Sequence, residues 1–225
     1  MSHGSPHVPE HDFEPQPGLP EPLPRDETLL WQGAPDWRAL AVRAFHVRKL
    51  TLYFTALLAM QAVVWTEGGH SAAETLRAMA PAIALSALGL GLVSLLAWLS
   101  ARATLYTLTD RRVVMRIGIV LTITFNLPLR RIVAADLRPG PCGTADIALR
   151  LEPGGPGIAW LTLWPHARPW RIGRAEPMLR CLPQGEQVAA RLTRAWAQHH
   201  GGLGVAAAAP ATTVPQGAQP ALASR

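Results

Sequence analysis

The sequence predicts a membrane α-helical hairpin carrying a small all-β domain, an antiparallel barrel or sandwich with a C-terminal helix. Three observations predict it. Residues 50–65 and 80–101 contain no Asp, Glu, Lys or Arg. Cations crowd the two flanks that a hairpin brings to one side: Arg38, Arg43, Arg48 and Lys49 before the first run, Arg102, Arg111, Arg112 and Arg116 after the second. From Arg102 onward the apolar pattern changes from a helical period to alternation by two, the mark of half-buried strands.

Composition fits this division. The chain has 225 residues, of which 49% are hydrophobic and 16% charged, against roughly 25% charged in soluble domains. That balance excludes a wholly disordered chain and argues against an ordinary cytosolic enzyme. Net charge is +6, with Lys49 the single lysine. It is segregated: residues 1–37 carry −6, residues 38–49 carry +4 and residues 102–200 carry +8. Cys142 and Cys181 have no CxxC or Cys/His metal spacing, which excludes a disulfide framework and fits a reduced compartment.

Residues 1–24 read as a disordered, acidic, proline-rich tail without the apolar core of a signal peptide. Residues 25–49 read as an amphipathic juxtamembrane segment. The first transmembrane helix is placed at 50–66, a periplasmic loop at 67–79 and the second helix at 80–101. With Arg48 and Lys49 snorkelling, the first run reaches about 27 Å, close to a hydrocarbon core of about 30 Å. Trp65 and Trp98 fall near span ends, where indoles favour the interface. Arg43, His46, Arg48, Lys49 and Arg102 are the further candidate interface residues. Positive-inside logic puts both termini in the cytoplasm of a multi-pass inner-membrane protein. Neither span holds an ionisable residue, which argues against a pigment ligand or proton path within it.

The cytoplasmic domain is placed at 102–200, with strands over 104–109, 111–117, 119–126, 128–137, 145–152 and 157–164. Thr109-Asp110-Arg111 and Ile117-Gly118 read as turns, Pro139–Pro141 and Pro153–Pro156 as loops. The apolar stretch Ile117–Phe125 is too short to be a third helix across a bilayer. An Arg- and Pro-rich connection over 165–183 leads to a helix near Glu186–Gln198, whose Val188, Leu192 and Ala195/Trp196 share one face. Residues 201–225 read as a disordered Ala/Pro/Gly tail.

Two segments carry a resemblance. Leu105-Tyr106-Thr107-Leu108-Thr109-Asp110-Arg111-Arg112-Val113-Val114, followed by Gly118, resembles the bacterial pleckstrin-homology-like (PH-like) domain that often follows membrane helices. Its motif residues here are Tyr106, Thr109, Asp110, Arg111, Arg112 and Gly118. Glu27-Thr28-Leu29-Leu30-Trp31-Gln32-Gly33-Ala34-Pro35-Asp36-Trp37, then Phe45-His46-Val47-Arg48, resembles the PuhB-type photosynthetic reaction-centre assembly proteins of purple bacteria. The resemblance covers roughly residues 20–200. It implies a non-enzymatic factor that helps to build the reaction centre and its light-harvesting 1 complex in the intracytoplasmic membrane. It further implies an oligomer near the reaction-centre H subunit. Members with three spans are allowed by the resemblance, and two are counted here.

No catalytic grouping, P-loop or nucleophile motif is present, and neither an enzyme nor a cofactor is expected. His3, His7 and His11 lie in the proline-rich tail, where helical metal-ligand spacing has no helix to sit on. The arginines form no helical stripe with stacking aromatics, so nucleic acid is not an expected partner. Anionic lipid accounts for the juxtamembrane cations at about 1 kcal/mol each. Trp31, Asp36 and Trp37, with Arg168, Trp170 and Arg171, are the candidate partner contacts, since Trp and Arg concentrate at protein interfaces. A generic bacterial PH-domain protein that binds lipid headgroups or envelope partners is the alternative reading.

Overall fold

The computed structural model describes residues 22–153, 158–171 and 173–200. Most of the two expected tails, the His3/His7/His11 run and residues 154–157 of the expected loop lie outside the described residues.

Two helices dominate the shape. Helix α2 (Val47–Glu67) and helix α3 (Ala72–Ala103) contain 21 and 32 residues, about 31 and 48 Å at 1.5 Å per residue. Both are long and apolar enough to cross a membrane. No residue of α2 is buried, and α3 is buried only at Thr75, Met79, Ala97, Ser100 and Ala101, towards its two ends. So much uncovered apolar surface points to membrane association.

The joint between the helices is shorter than the expected loop over 67–79. Helix α3 starts at Ala72 because Ser71 and Glu74 form a reciprocal capping box, the Ser71 N–H donating to Glu74 Oε2 at 2.8 Å. Glu74 and Arg77 made this turn resemble a loop, although they occupy the first turns of the helix. Pro81 therefore lies inside the helix and not at its start.

The β part is built from two antiparallel sheets. The first has the order β1 (Leu29–Gly33), β2 (Leu105–Thr109), β3 (Arg112–Ile117), β4 (Ile123–Pro128); the second has the order β5 (Ile132–Pro139), β6 (Thr144–Leu151), β7 (Met178–Pro183). They do not close into a barrel. Tyr106, Leu108, Val113 and Met115 of one sheet meet Ile147, Leu149 and Leu179 of the other in a single core. Helix α5 (Gly185–His199) seals it with Val188, Leu192 and Ala195, the face its sequence period predicts. A Cβ on Gly185 would collide with Ala145, so the helix can begin this close to β6 only with glycine there.

Four expectations are corrected here. Residues 25–49 are not merely juxtamembrane: they supply strand β1 and the short helix α1 (Trp37–Arg43), so the helical hairpin is inserted between the first two strands of one sheet. β1 reads Leu-Leu-Trp-Gln-Gly without alternation, because it is a sheet edge completed by a partner more than seventy residues away: the Gln32 amide donates to Thr107 across a separation of 75 residues. The strand expected over 157–164 is instead the single-turn helix α4 (Trp160–Leu163) in its described part. The connection over 165–183 contains strand β7. Residues 119–122 form the β3–β4 turn and not the first half of a strand. There Gly118 has φ +116°, and a Cβ would strike the Leu121 carbonyl.

The motif at the far end of β2 has a structural role that joins the two resembling segments. Arg112 grips Glu27 with two hydrogen bonds, 2.7 and 2.8 Å, and the Thr109 hydroxyl donates to the same carboxylate at 2.7 Å. Asp110 accepts the Thr28 N–H at 3.0 Å, and Arg111 pairs with Asp26 at 2.6 Å. Thr-Asp-Arg-Arg is thus the receptor for Asp-Glu-Thr, and it fixes the register of β1. Glu27 is buried, so removing its bidentate partner strands a charge. Arg112→Ala should destabilise the domain by about 3 kcal/mol and Arg112→Lys by roughly 1 kcal/mol, measured by chemical unfolding in detergent.

Candidate functional site

The site with the densest buried chemistry lies where the helices meet the sheets. Its origin is a β-bulge. Ala145 pairs with Leu182 and Ile147 with Leu179, so Arg180 and Cys181 of β7 together face Asp146 of β6. Cys181 takes φ +51° there, and its N–H donates to Asp146 Oδ1 at 2.8 Å in place of a ladder bond. Asp146 Oδ2 receives Arg43 Nη2 from the last turn of α1 at 2.8 Å. Arg180 donates to the carbonyls of Pro165 at 2.9 Å and Arg43 at 3.4 Å. A Cβ on Gly140 would run into the Arg43 guanidinium and the Thr144 hydroxyl, so glycine there leaves room for the guanidinium beside the β5–β6 turn. Helix α1 is itself held by Asp36. Its carboxylate caps the helix by accepting the Ala39 N–H at 2.7 Å, while its own N–H donates to the Cys181 carbonyl at 2.8 Å.

His166 carries the link onward to α3. The Thr104 hydroxyl donates to the Ser100 carbonyl at 2.7 Å, which leaves its oxygen to accept His166 Nε2–H at 3.0 Å. Nδ1 is then an acceptor and takes the Tyr106 hydroxyl proton at 2.6 Å, while the Arg180 N–H donates to the Tyr106 oxygen at 3.2 Å. A neutral imidazole satisfies every member of this chain. Protonation would turn Nδ1 into a donor facing another donor. Burial first, and the nearby Arg180 charge second, hold the His166 pKa down to about 3. Burial also raises the Tyr106 phenol and, helped by Asp146, pushes the Cys181 thiol up to about 12. Burial lowers the Arg180 pKa while Asp146 opposes that shift. Chemically, the arrangement locks three parts together: α1 through Arg43, the end of α3 through Thr104, and the second sheet through Asp146 and Arg180.

Two comparisons with known proteins bear on this architecture. The bacterial PH domain family matches residues 51–196, from the first turns of α2 to near the end of α5. The chain belongs to that family. A 23.7 kDa protein of Rhodobacter capsulatus, named for its place in the 5′ region of puhA, is 40% identical over 186 residues, 82% of this chain and 86% of its own. The bacterial PH domain match therefore takes in both apolar helices and is wider than the cytoplasmic domain expected at 102–200. Strand β1 and α1 precede the matched residues yet complete the sheet and the junction of this bacterial PH domain.

The residues singled out from sequence fall into three structural settings. Arg43, expected at the membrane interface, turns its head inward to Asp146, because that buried carboxylate needs a cation. His46, Arg48 and Lys49 are exposed around the start of α2, His46 with φ +55°. Arg102 lies over the Trp98 ring at 5.4 Å near the end of α3, and Trp65 packs against His70 at the other end of the hairpin, 4.7 Å between rings.

The candidate partner contacts separate. Trp31 packs against the core of the bacterial PH domain, Asp36 is a cap, and Trp37 is exposed beneath the Arg38 guanidinium at 5.5 Å. Arg168 binds Asp136 at 2.7 Å and Glu176 at 2.8 Å, and those two hydrogen bonds, Glu176 first, raise its pKa. It is a loop brace. Arg171 lies 3.8 Å from Glu176, and Trp170 is 94% exposed. Asp146, His166 and Arg180 were not singled out, and Cys181 was weighed only for metal or disulfide spacing. The available signal was charge inside apolar strands, Ala-Asp-Ile and Leu-Arg-Cys, which demands a buried partner.

Two measurements check this junction. Arg43→Ala should cost about 3 kcal/mol by leaving Asp146 unpaired, whereas a purely interfacial arginine would leave stability unchanged on denaturant unfolding. The unfolded chain protonates His166 near pH 6.5 and the folded chain only near pH 3. Its contribution is therefore complete above pH 6.5 and is lost as pH falls towards 3, at up to about 1.4 kcal/mol per pH unit. Thermal midpoints in detergent between pH 7 and pH 4 should fall, and His166→Gln should flatten that part of the slope.

Proposed function

We propose that this chain is a membrane-anchored assembly factor for the photosynthetic reaction centre and the light-harvesting 1 complex, acting through protein contacts and without catalysis. The observation that carries the reading is the 40% identical relative whose name places it beside puhA, over 82% of this chain. The resemblance of Glu27–Trp37 to PuhB-type proteins points the same way.

In this reading α2 and α3 cross the intracytoplasmic membrane as a hairpin with both termini in the cytoplasm. The exposed cations Arg48, Lys49 and Arg102 face anionic lipid there. The hairpin confines the PH domain to the membrane surface, so that encounter with nascent subunits becomes two-dimensional and effectively concentrated. Trp37, Trp170 and Arg171 are the exposed groups offered to those subunits, the H subunit first among them, and self-association is a further contact of the same kind. Headgroup binding is the second reading, favoured by the same exposed cations.

Deleting the gene should lower reaction-centre and light-harvesting 1 complexes several-fold in membrane absorption spectra while pigment synthesis continues. Normal complex levels would overturn the assembly reading. Loss of membrane anionic-lipid enrichment around the purified protein on Arg48→Gln/Lys49→Gln, with complex levels unaffected, would favour headgroup binding instead.

A further inference from the structure

We infer that the β3–β4 turn is a membrane-inserting tip: Ile119, Val120 and Leu121, flanked by Leu161 and Trp164, enter the same lipid leaflet from which the helices emerge. The inference rests on the reading that α2 and α3 cross a bilayer.

Register fixes which end of the domain this is. Leu105 opens β2 two residues after α3 ends, and it pairs with Arg116. The tip lies three to five residues beyond Arg116, at most about 17 Å along an extended chain. It therefore projects from the end of the sheet where α3 enters the domain. The last ladder pair, Ile117 with Ile123, closes on Gly118, whose φ of +116° and contact with the Leu121 carbonyl allow only glycine. That turn leaves Val120 89% and Leu121 79% exposed. Soluble hairpins put polar turn formers at such positions. Three consecutive uncovered aliphatic residues call for an apolar environment.

A second element reaches the same place by a different route. Helix α4 packs Leu163 against Ile117, the residue next to Gly118. Its neighbour Leu161 is 79% exposed. Trp164 is about half exposed, with its ring edge-on to Phe45 at 5.2 Å, two residues before α2 begins. Both apolar features thus sit at the end from which both helices depart, alongside the exposed cations of α2 and α3. Aliphatic tips, an amphipathic indole and a cationic surround match the layered chemistry of a bilayer interface. A protein groove would need no such continuity with the lipid-facing helices.

The test uses the full-length protein in nanodiscs of phosphatidylcholine and phosphatidylglycerol, in a Cys142→Ser background; Cys181 is buried. An environment-sensitive fluorophore is attached at Val120→Cys, at Arg130→Cys on the opposite end of the sheet, and at Leu88→Cys midway along α3. With shallow doxyl-labelled lipid, quenching at position 120 should exceed that at position 130 at least threefold, with deep doxyl quenching at position 88. Quenching at 88 with 120 indistinguishable from 130 would overturn the insertion and leave the spanning helices standing. A label at 120 shielded from water yet not quenched by lipid would assign the tip to a protein surface and also overturn it. Absence of quenching at 88 would reject the spanning reading and this inference together.

Discussion

The Arg43–Asp146 ion pair is the constraint on which the relation between helices and sheets depends. Asp146 is a carboxylate in the interior of β6, and burying it alone would cost several kcal/mol. It is compensated from two directions, by the Cys181 N–H freed at the bulge and by Arg43 from α1. Arg180 and His166 extend the same network to Tyr106 and Thr104. Each contact tolerates little displacement, because each group is buried or, for Arg43, largely covered and has few alternative donors or acceptors. A helical hairpin joined to a domain by two short covalent links could swivel. This one is clamped at both.

The pair of long apolar helices was legible in the sequence because its signal is compositional: a run without charge needs no partner to be recognised. The face of α5 and the turns at Thr109–Arg111 and Gly118 were legible for a related reason, since local periodicity and local backbone freedom set them. Strand β1 was not, because a five-residue edge strand is defined by its partner. That partner is reached only through the helical hairpin. Helix α4 failed differently: Trp-Leu-Thr-Leu alternates like a strand but packs as one turn against Ile117 and Ala167.

The site was the least legible feature. Arg43 resembles its neighbours Arg48 and Lys49 along the chain, and nothing local says that it points inward while they point out. His166 stands alone beside Pro165 and acquires meaning only when Thr104 and Tyr106 are brought to its two nitrogens. A junction assembled from four or more elements leaves only indirect traces in sequence, chiefly charges stranded within apolar strands. By contrast, the Thr-Asp-Arg-Arg motif was visible as a pattern, but its purpose was not. Its partner, Asp26–Thr28, lies on the other side of both helices.

That placement of β1 has a consequence for biogenesis. The ribosome delivers the first strand before the helices and the second strand after them, so the sheet is unfinished while the hairpin is being threaded into its environment. In a free chain, closing a loop of some seventy-five residues would carry an entropic penalty of roughly 4 kcal/mol. Once the two helices lie side by side, the ends of that loop are already neighbours. Completion of the first sheet is thereby coupled to the pairing of the two helices, and a molecule whose helices stay apart is left with β2 as an open sheet edge.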